Sequence, residues 1–294
     1  MIEVDGLTKR YGNVLAVDGL SFRAEPGRVT GFLGPNGAGK TTTLRVLVGL
    51  LRPTAGSATV LGRRYAQLDD PVRSVGAVLE ASGFHPGRSG RNHLRTLATA
   101  AGIASARVEE LLQLVDLATA ARRRVGGYSL GMRQRLSLAG ALLGDPQVLI
   151  LDEPANGLDP QGIRWLRDLL RGFAAEGRTV LVSSHVLAEM QQLADDVVII
   201  ARGRIVAQAG VGDVVGRAGG AVRVRSPQRE RLTEALRREG FEATPLDENG
   251  LSVRNASPAQ VGDIAATEGV ALHELVAGEA TLEEVFLELT EGET

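Results

Sequence analysis

The chain has 294 residues, 44% of them hydrophobic and 23% charged, enough apolar material for one large or two ordinary cores. Its 33 basic and 35 acidic residues leave a net charge of −2, which argues against bulk electrostatic binding to nucleic acid. Cysteine is absent, which excludes disulfides, thiolate metal sites and cysteine nucleophiles and fits a reducing compartment. No signal peptide marks the N-terminus. The longest apolar runs, around 148–151 and 197–201, fall far short of the ~18 residues of a membrane span. A soluble or peripheral protein is expected, with no direct membrane span.

In chain order, residues 1–80 read as short strands at 2–4, 14–17, 29–33, 58–61 and 75–79. After the third comes Gly34-Pro35-Asn36-Gly37-Ala38-Gly39-Lys40-Thr41, which meets G-x-x-x-x-G-K-[ST] at every fixed position. A helical pattern at 42–51, opened by Thr42, follows it. Strand, loop and helix are the setting this loop requires. Glycines let backbone N–H groups converge on phosphate oxygens, and the helix N-terminus favours negative charge. Lys40 is expected to reach the β/γ-phosphates, and the Thr41 hydroxyl to bind Mg²⁺.

Residues 85–145 change character. Leu94, Leu97, Ala98 and Ala101, then Val108, Leu111, Leu112 and Val115, recur at helical spacing and predict a mostly helical insert. Near its end, Tyr128-Ser129-Leu130-Gly131-Met132 leads into a helix-forming run. Ser129 reads either as a simple N-cap or as part of a second helix N-terminus suited to a phosphate. Strand patterns return at 148–151, 179–183, 197–200 and 204–207, so strands and helices alternate as in an α/β sheet.

The strand at 148–151 ends on Asp152-Glu153. Taken alone, the pair reads as a solvated acidic turn or as a site facing a cation. With the phosphate loop upstream, Asp152 is expected to hold Mg²⁺, directly or through water, and Glu153 to orient or deprotonate the attacking water. His185 follows the strand at 179–183. Alone it reads as structural; beside a nucleotide site it can contact the γ-phosphate and stabilise developing charge.

Residues 215–294 hold 8 arginines and 15 acidic residues, a net −7, which leaves +5 for residues 1–214. The step predicts a domain boundary. Beyond it come a strand at 221–225, a helix at 229–238 stopped by Gly240, and strands at 241–244 and 251–254 joined by Asp247-Glu248-Asn249-Gly250. A helix opened by Ser257-Pro258 and a strand at 270–276 complete a βαββαβ order. In the last helix Thr281 and Glu284 form a capping box, and Leu282, Val285, Phe286 and Leu289 make one apolar stripe. The stripe packs on its own domain or serves as a docking surface.

Together, residues 2–212 resemble the ATP-binding-cassette (ABC) ATPase family, with its motifs in order. Tyr11 sits where the family places an aromatic that stacks on adenine. Residues 34–42 resemble its Walker A loop and 148–152 its Walker B strand, with Glu153 as the catalytic glutamate. Asn156-Gly157-Leu158-Asp159 looks like the D-loop and His185 the switch histidine. Ser129-Leu130-Gly131-Met132 resembles the signature loop, usually L-S-G-G-Q. Leu130 and Met132 depart from that pattern; Ser129 and Gly131 keep it. Glu80 stands where most of the family has Gln. These features, and the tail from Thr281 to Thr290, are similar to the ATPases of bacitracin, lantibiotic and daunorubicin exporters.

The resemblance implies an α/β P-loop NTPase fold over residues 1–214, with a helical subdomain at about 85–145. The C-terminal domain, 215–294, is then a small ferredoxin-like α+β accessory or regulatory module. ATP and Mg²⁺ are the implied cofactors. Implied nucleotide contacts are Tyr11, Gly34, Pro35, Asn36, Gly37, Ala38, Gly39, Lys40, Thr41, Thr42, Ser129, Gly131 and Asp159. Implied metal ligands are Thr41, Glu80 and Asp152, and Glu153 and His185 are the implied catalytic pair. Two chains would pair head to tail as a homodimer, with Ser129 and Gly131 of one covering ATP on Lys40 and Thr41 of the other. A separate polytopic membrane permease would use the hydrolysis for efflux, with this chain peripheral on the cytoplasmic face. Two further readings stand beside this one. One is an ABC ATPase acting on ribosomes or DNA, opposed by the single cassette and the near-neutral charge. The other is a regulatory protein with 215–294 as a ligand sensor.

Overall fold

A computed structural model describes residues 1–79, 83–217, 221–254, 256–278 and 281–291, and the chain divides into two units between Ala209 and Gly210. The first unit opens with two long antiparallel strands, β1 (Ile2–Tyr11) and β2 (Val14–Ala24). The sequence pattern suggested only three or four residues in each. Gly6, Gly12 and Gly19 adopt positive φ and the register shifts along the pair, so strict alternation breaks while pairing continues.

Next come β3 (Val29–Leu33), α1 (Lys40–Leu47) and β4 (Ala55–Val60), and β4 closes a three-stranded sheet of order β2-β1-β4. Helix α1 stops short of residue 51 because Gly49 turns left-handed at φ +72°. A short α2 (Pro71–Ser74) leads into β5 (Val75–Val78). The helical insert follows as α3 (Gly90–Ala100), α4 (Ser105–Leu114) and α5 (Leu130–Ala141). Leu94, Val108, Leu111, Leu112 and Val115 are buried in it, whereas Leu97 is exposed.

The unit ends with β6 (Val148–Asp152), α6 (Pro160–Ala175), β7 (Thr179–Ser184), α7 (Leu187–Leu193), β8 (Asp196–Ala201) and β9 (Arg204–Gly210). The larger sheet runs β5-β6-β7-β3-β8-β9, and its pairs from β5 to β8 are parallel. Every residue of β3, β6 and β7 is buried, as expected of parallel strands covered on both faces. Phe22 of β2 stacks on Phe32 of β3 at 5.1 Å, so the two sheets share one core.

The second unit contains α8 (Val211–Arg217), β10 (Val222–Arg225), α9 (Arg229–Arg238), β11 (Glu242–Pro245), β12 (Gly250–Arg254), α10 (Pro258–Thr267), β13 (Glu274–Ala277) and α11 (Leu282–Glu291). Its sheet, β11-β12-β10-β13, is antiparallel throughout, the split-βαβ order. Val222, Val224, Leu232, Leu236, Leu251, Val253 and Val261 form its own core. The strand expected from 270 begins only at Glu274, because Val270 N donates to Ala265 O and closes the end of α10. The capping box at Thr281 and Glu284 is present, with bonds of 3.0 and 3.2 Å. Leu282 and Val285 are buried and α11 packs with α8. That pairing draws α8 into this unit and places the division a few residues before the charge step at 214/215.

Candidate active site

Parallel β6, β7 and β3 lie side by side, so their C-terminal ends share one edge of the sheet. In open α/β sheets that edge is where ligands bind. The glycine-rich loop leaves β3 there, Asp152-Glu153 leave β6, and His185 leaves β7.

Close packing fixes the loop's shape. A Cβ on Gly34 would lie 2.3 Å from the Ile200 carbonyl oxygen, and one on Gly39 would lie 2.6 Å from that of Ala16. Gly37 and Gly39 hold φ of +83° and +105°, which a side chain would oppose. Lys40, only 6% exposed, donates Nζ to Gly34 O at 2.6 Å and Pro35 O at 3.3 Å, and lies 3.6 Å from Glu153 Oε1. A buried ammonium requires such partners. Pro35 and Asn36 are exposed, Ala38 is buried, and Thr42 is half-buried on α1.

Thr41 Oγ1 donates to Asp152 Oδ2 at 2.7 Å, and Ser183 Oγ donates to Asp152 Oδ1. Ser183 Oγ also accepts from Glu153 N at 3.1 Å. Sequence reading did not single out Ser183. Its signal lies in the register, where Asp152 of β6 pairs with Ser183 of β7. Glu153 itself has φ +49°, a left-handed conformation that costs a non-glycine residue of order 1 kcal/mol. Its Oε2 is 2.8 Å from His185 Nδ1. When the carboxylate is ionised it can only accept, and His185 Nδ1 is then the donor of this bond. Glu189, on the first turn of α7, is a second residue the sequence reading passed over. Burial, then the charge of Glu153, push its carboxyl above the ordinary range, while His185 pulls it down.

The remaining expected residues lie elsewhere. Tyr11 ends β1, 45% exposed, with Lys9 Nζ 5.0 Å from its ring centre. Ser129 caps α5 by accepting from Met132 N at 3.2 Å. Asp159 caps α6, its Oδ1 accepting from Gly162 N at 2.8 Å. A Cβ on Gly131 would lie 2.9 Å from Gly157 O, so the loops around Ser129 and Asp159 touch within one chain. Among the described residues, no hydrogen bond or ion pair joins Ser129, Gly131 or Asp159 to the Lys40 cluster. Glu80 lies outside the described residues.

Among the described residues no three His, Cys, Asp or Glu side chains gather as a metal site. A Mg²⁺ ion suits such a place, because it takes one or two protein oxygens and completes its shell with phosphates and water. Thr41 and Asp152 fit that requirement.

A glycine loop feeding a helix N-terminus, a buried lysine under it and a Thr–Asp–Ser chain across the neighbouring strands define a P-loop nucleoside triphosphatase. Comparison with known proteins narrows the class. Residues 17–156 match the ABC transporter family model, and residues 220–283 match a domain of unknown function. The bacitracin transport ATP-binding protein BcrA of Bacillus licheniformis is 42% identical over 208 residues, covering 70% of this chain and 68% of the relative. The daunorubicin resistance ATP-binding protein DrrA3 of Streptomyces coeruleorubidus is 37% identical over 310 residues, covering 98% and 95%. A solved ATP-binding subunit of an ABC transporter superposes with a TM-score of 0.67 at 30% identity, covering 74% of this chain and 92% of that one. The chain belongs to the ABC transporter family. Among its described residues no helix is long and apolar enough to cross a membrane.

Proposed function

We propose that the chain is the ATP-hydrolysing subunit of an exporter and works with a separate membrane subunit. The observation that carries this reading is the convergence of Lys40, Thr41, Asp152, Ser183, Glu153 and His185 at one sheet edge. Loop N–H groups and Lys40 bind the phosphates. Thr41 and Asp152 would hold Mg²⁺, which would supply positive charge to neutralise the phosphates. Glu153 orients the attacking water and takes its proton. Its left-handed backbone and His185 Nδ1 fix where that carboxylate points. His185 contacts the γ-phosphate and stabilises the charge that develops there. Tyr11 stacks on the base.

The site is completed by a second copy. Ser129 is exposed at the N-terminus of α5 and Leu130 beside it is 55% exposed, so this helix end faces outward and can cover a partner's phosphates. Asp159 belongs to the loop against which Gly131 packs, so it is carried to the same face.

The relatives are named for bacitracin transport and daunorubicin resistance. We infer a cargo of the same class, a small molecule or peptide with antibiotic character. A groove of about 370 Å³ in the first unit, of mixed polar and apolar lining that includes Val72, Leu79, Phe84, His93 and Leu97, is the seat this reading gives to a helix of the membrane subunit. On this reading the chain works peripherally, on the cytoplasmic face of the membrane. In the test, Glu153→Gln keeps ATP affinity in an equilibrium titration and loses about 10²–10⁴ in turnover. Normal turnover in that variant contradicts the assignment of the base.

A further inference from the structure

A cavity of about 140 Å³ lies between α6 and α7, beside the loop that follows Glu153. Its walls are mostly apolar: Pro154 from that loop, Ile163 and Leu166 from α6, Met190 and Leu193 from α7. Two charged side chains also line it, Arg167 and Glu189, and they are not equivalent. Arg167 gives Nη1 to Gln192 Oε1 at 2.7 Å and lies 3.7 Å from Asp168. Among the described residues no hydrogen bond or ion pair reaches the Glu189 carboxylate. It is partly buried, and its burial and then the nearby charge of Glu153 disfavour its ionised form more than the neighbouring His185 favours it.

An unpartnered carboxylate on an apolar wall is an unfavourable arrangement that a cation relieves. The volume is adequate for one ring, since an apolar cavity of about 150 Å³ takes up benzene. An anion has less to gain, because the Arg167 guanidinium already holds two partners.

We propose that this cavity binds a small organic cation, a protonated amine on a compact apolar body, with the ring against Ile163, Leu166 and Leu193 and the ammonium at Glu189. The cavity adjoins the catalytic edge, because Pro154, which lines it, directly follows Glu153. Binding of the cation does not depend on the role proposed for Glu153.

The test uses the full chain and benzylamine, with benzyl alcohol and benzoate as its neutral and anionic counterparts, followed by NMR titration. Benzylamine binds at least about tenfold more tightly than benzyl alcohol, as expected when one partner of the hydrogen bond is charged, and benzoate does not bind. Glu189→Gln removes the preference for the amine. Ala188→Phe, at the cavity wall, abolishes binding of both rings. Equal affinity for amine and alcohol, a preference for benzoate, or unchanged benzylamine affinity in Glu189→Gln overturns the proposal.

Discussion

Lys40 and Glu153 face each other across 3.6 Å at the meeting of two strands and a loop, and their neighbours decide what each can do. Lys40 is buried and held by two carbonyls of its own loop, which fix its charge at that loop. In the proposed role Lys40 makes a charge-assisted contact to phosphate, so Lys40→Ala is expected to lower ATP affinity about 10- to 150-fold in a fluorescent-nucleotide titration. Unchanged affinity contradicts the phosphate-loop assignment. The residues legible in the sequence were those whose meaning is local. Eight consecutive positions specify the loop, and Asp152-Glu153 end one apolar strand. Ser183 and Glu189 were not legible. The first matters only because β6 and β7 pair in one register, the second because α7 folds back toward Glu153. Ser129 and Asp159 answered to the simplest local chemistry, since each caps the helix it precedes.

At the scale of elements, capping and close approach set where segments begin and how they pack. Ser257 and Gln260 bond reciprocally at the start of α10, at 3.2 and 2.8 Å. Ser257→Ala therefore lowers stability by about 0.5–2 kcal/mol, read as a shifted denaturation midpoint. Gly34→Ala acts through backbone, because its Cβ would meet the Ile200 carbonyl at 2.3 Å. Relief requires β8 or the loop to move, and about 1–3 kcal/mol of stability is lost in the same measurement, with nucleotide affinity falling too. Helices and buried parallel strands were read well from periodicity, since each has one dominant pattern. The first two strands were not. Their glycine turns and register shifts interrupt alternation although the hydrogen-bonded ladder runs on. Strand β13 was anticipated too early, because the buried Val270 belongs to the helix end.

For the whole molecule, the two units carry separate cores, and among the described residues the hydrogen bonds and ion pairs of the Lys40 cluster lie in the first. A chain ending at Ala209 is expected to keep ATP affinity within about threefold of the full chain, a difference under 1 kcal/mol. A larger loss, measured by titration with folding checked by circular dichroism, makes the second unit part of the site. The central claim concerns two copies. One chain offers Lys40, Thr41 and Glu153 at one place and an exposed Ser129 at another, and the proposed closed site takes one set from each of two copies. The most direct measurement is the solution mass of Glu153→Gln by light scattering, with and without saturating Mg-ATP. Twice the chain mass with nucleotide and the single mass without it is the expected result. A monomer at saturating nucleotide, in a variant shown to have bound it, contradicts the account.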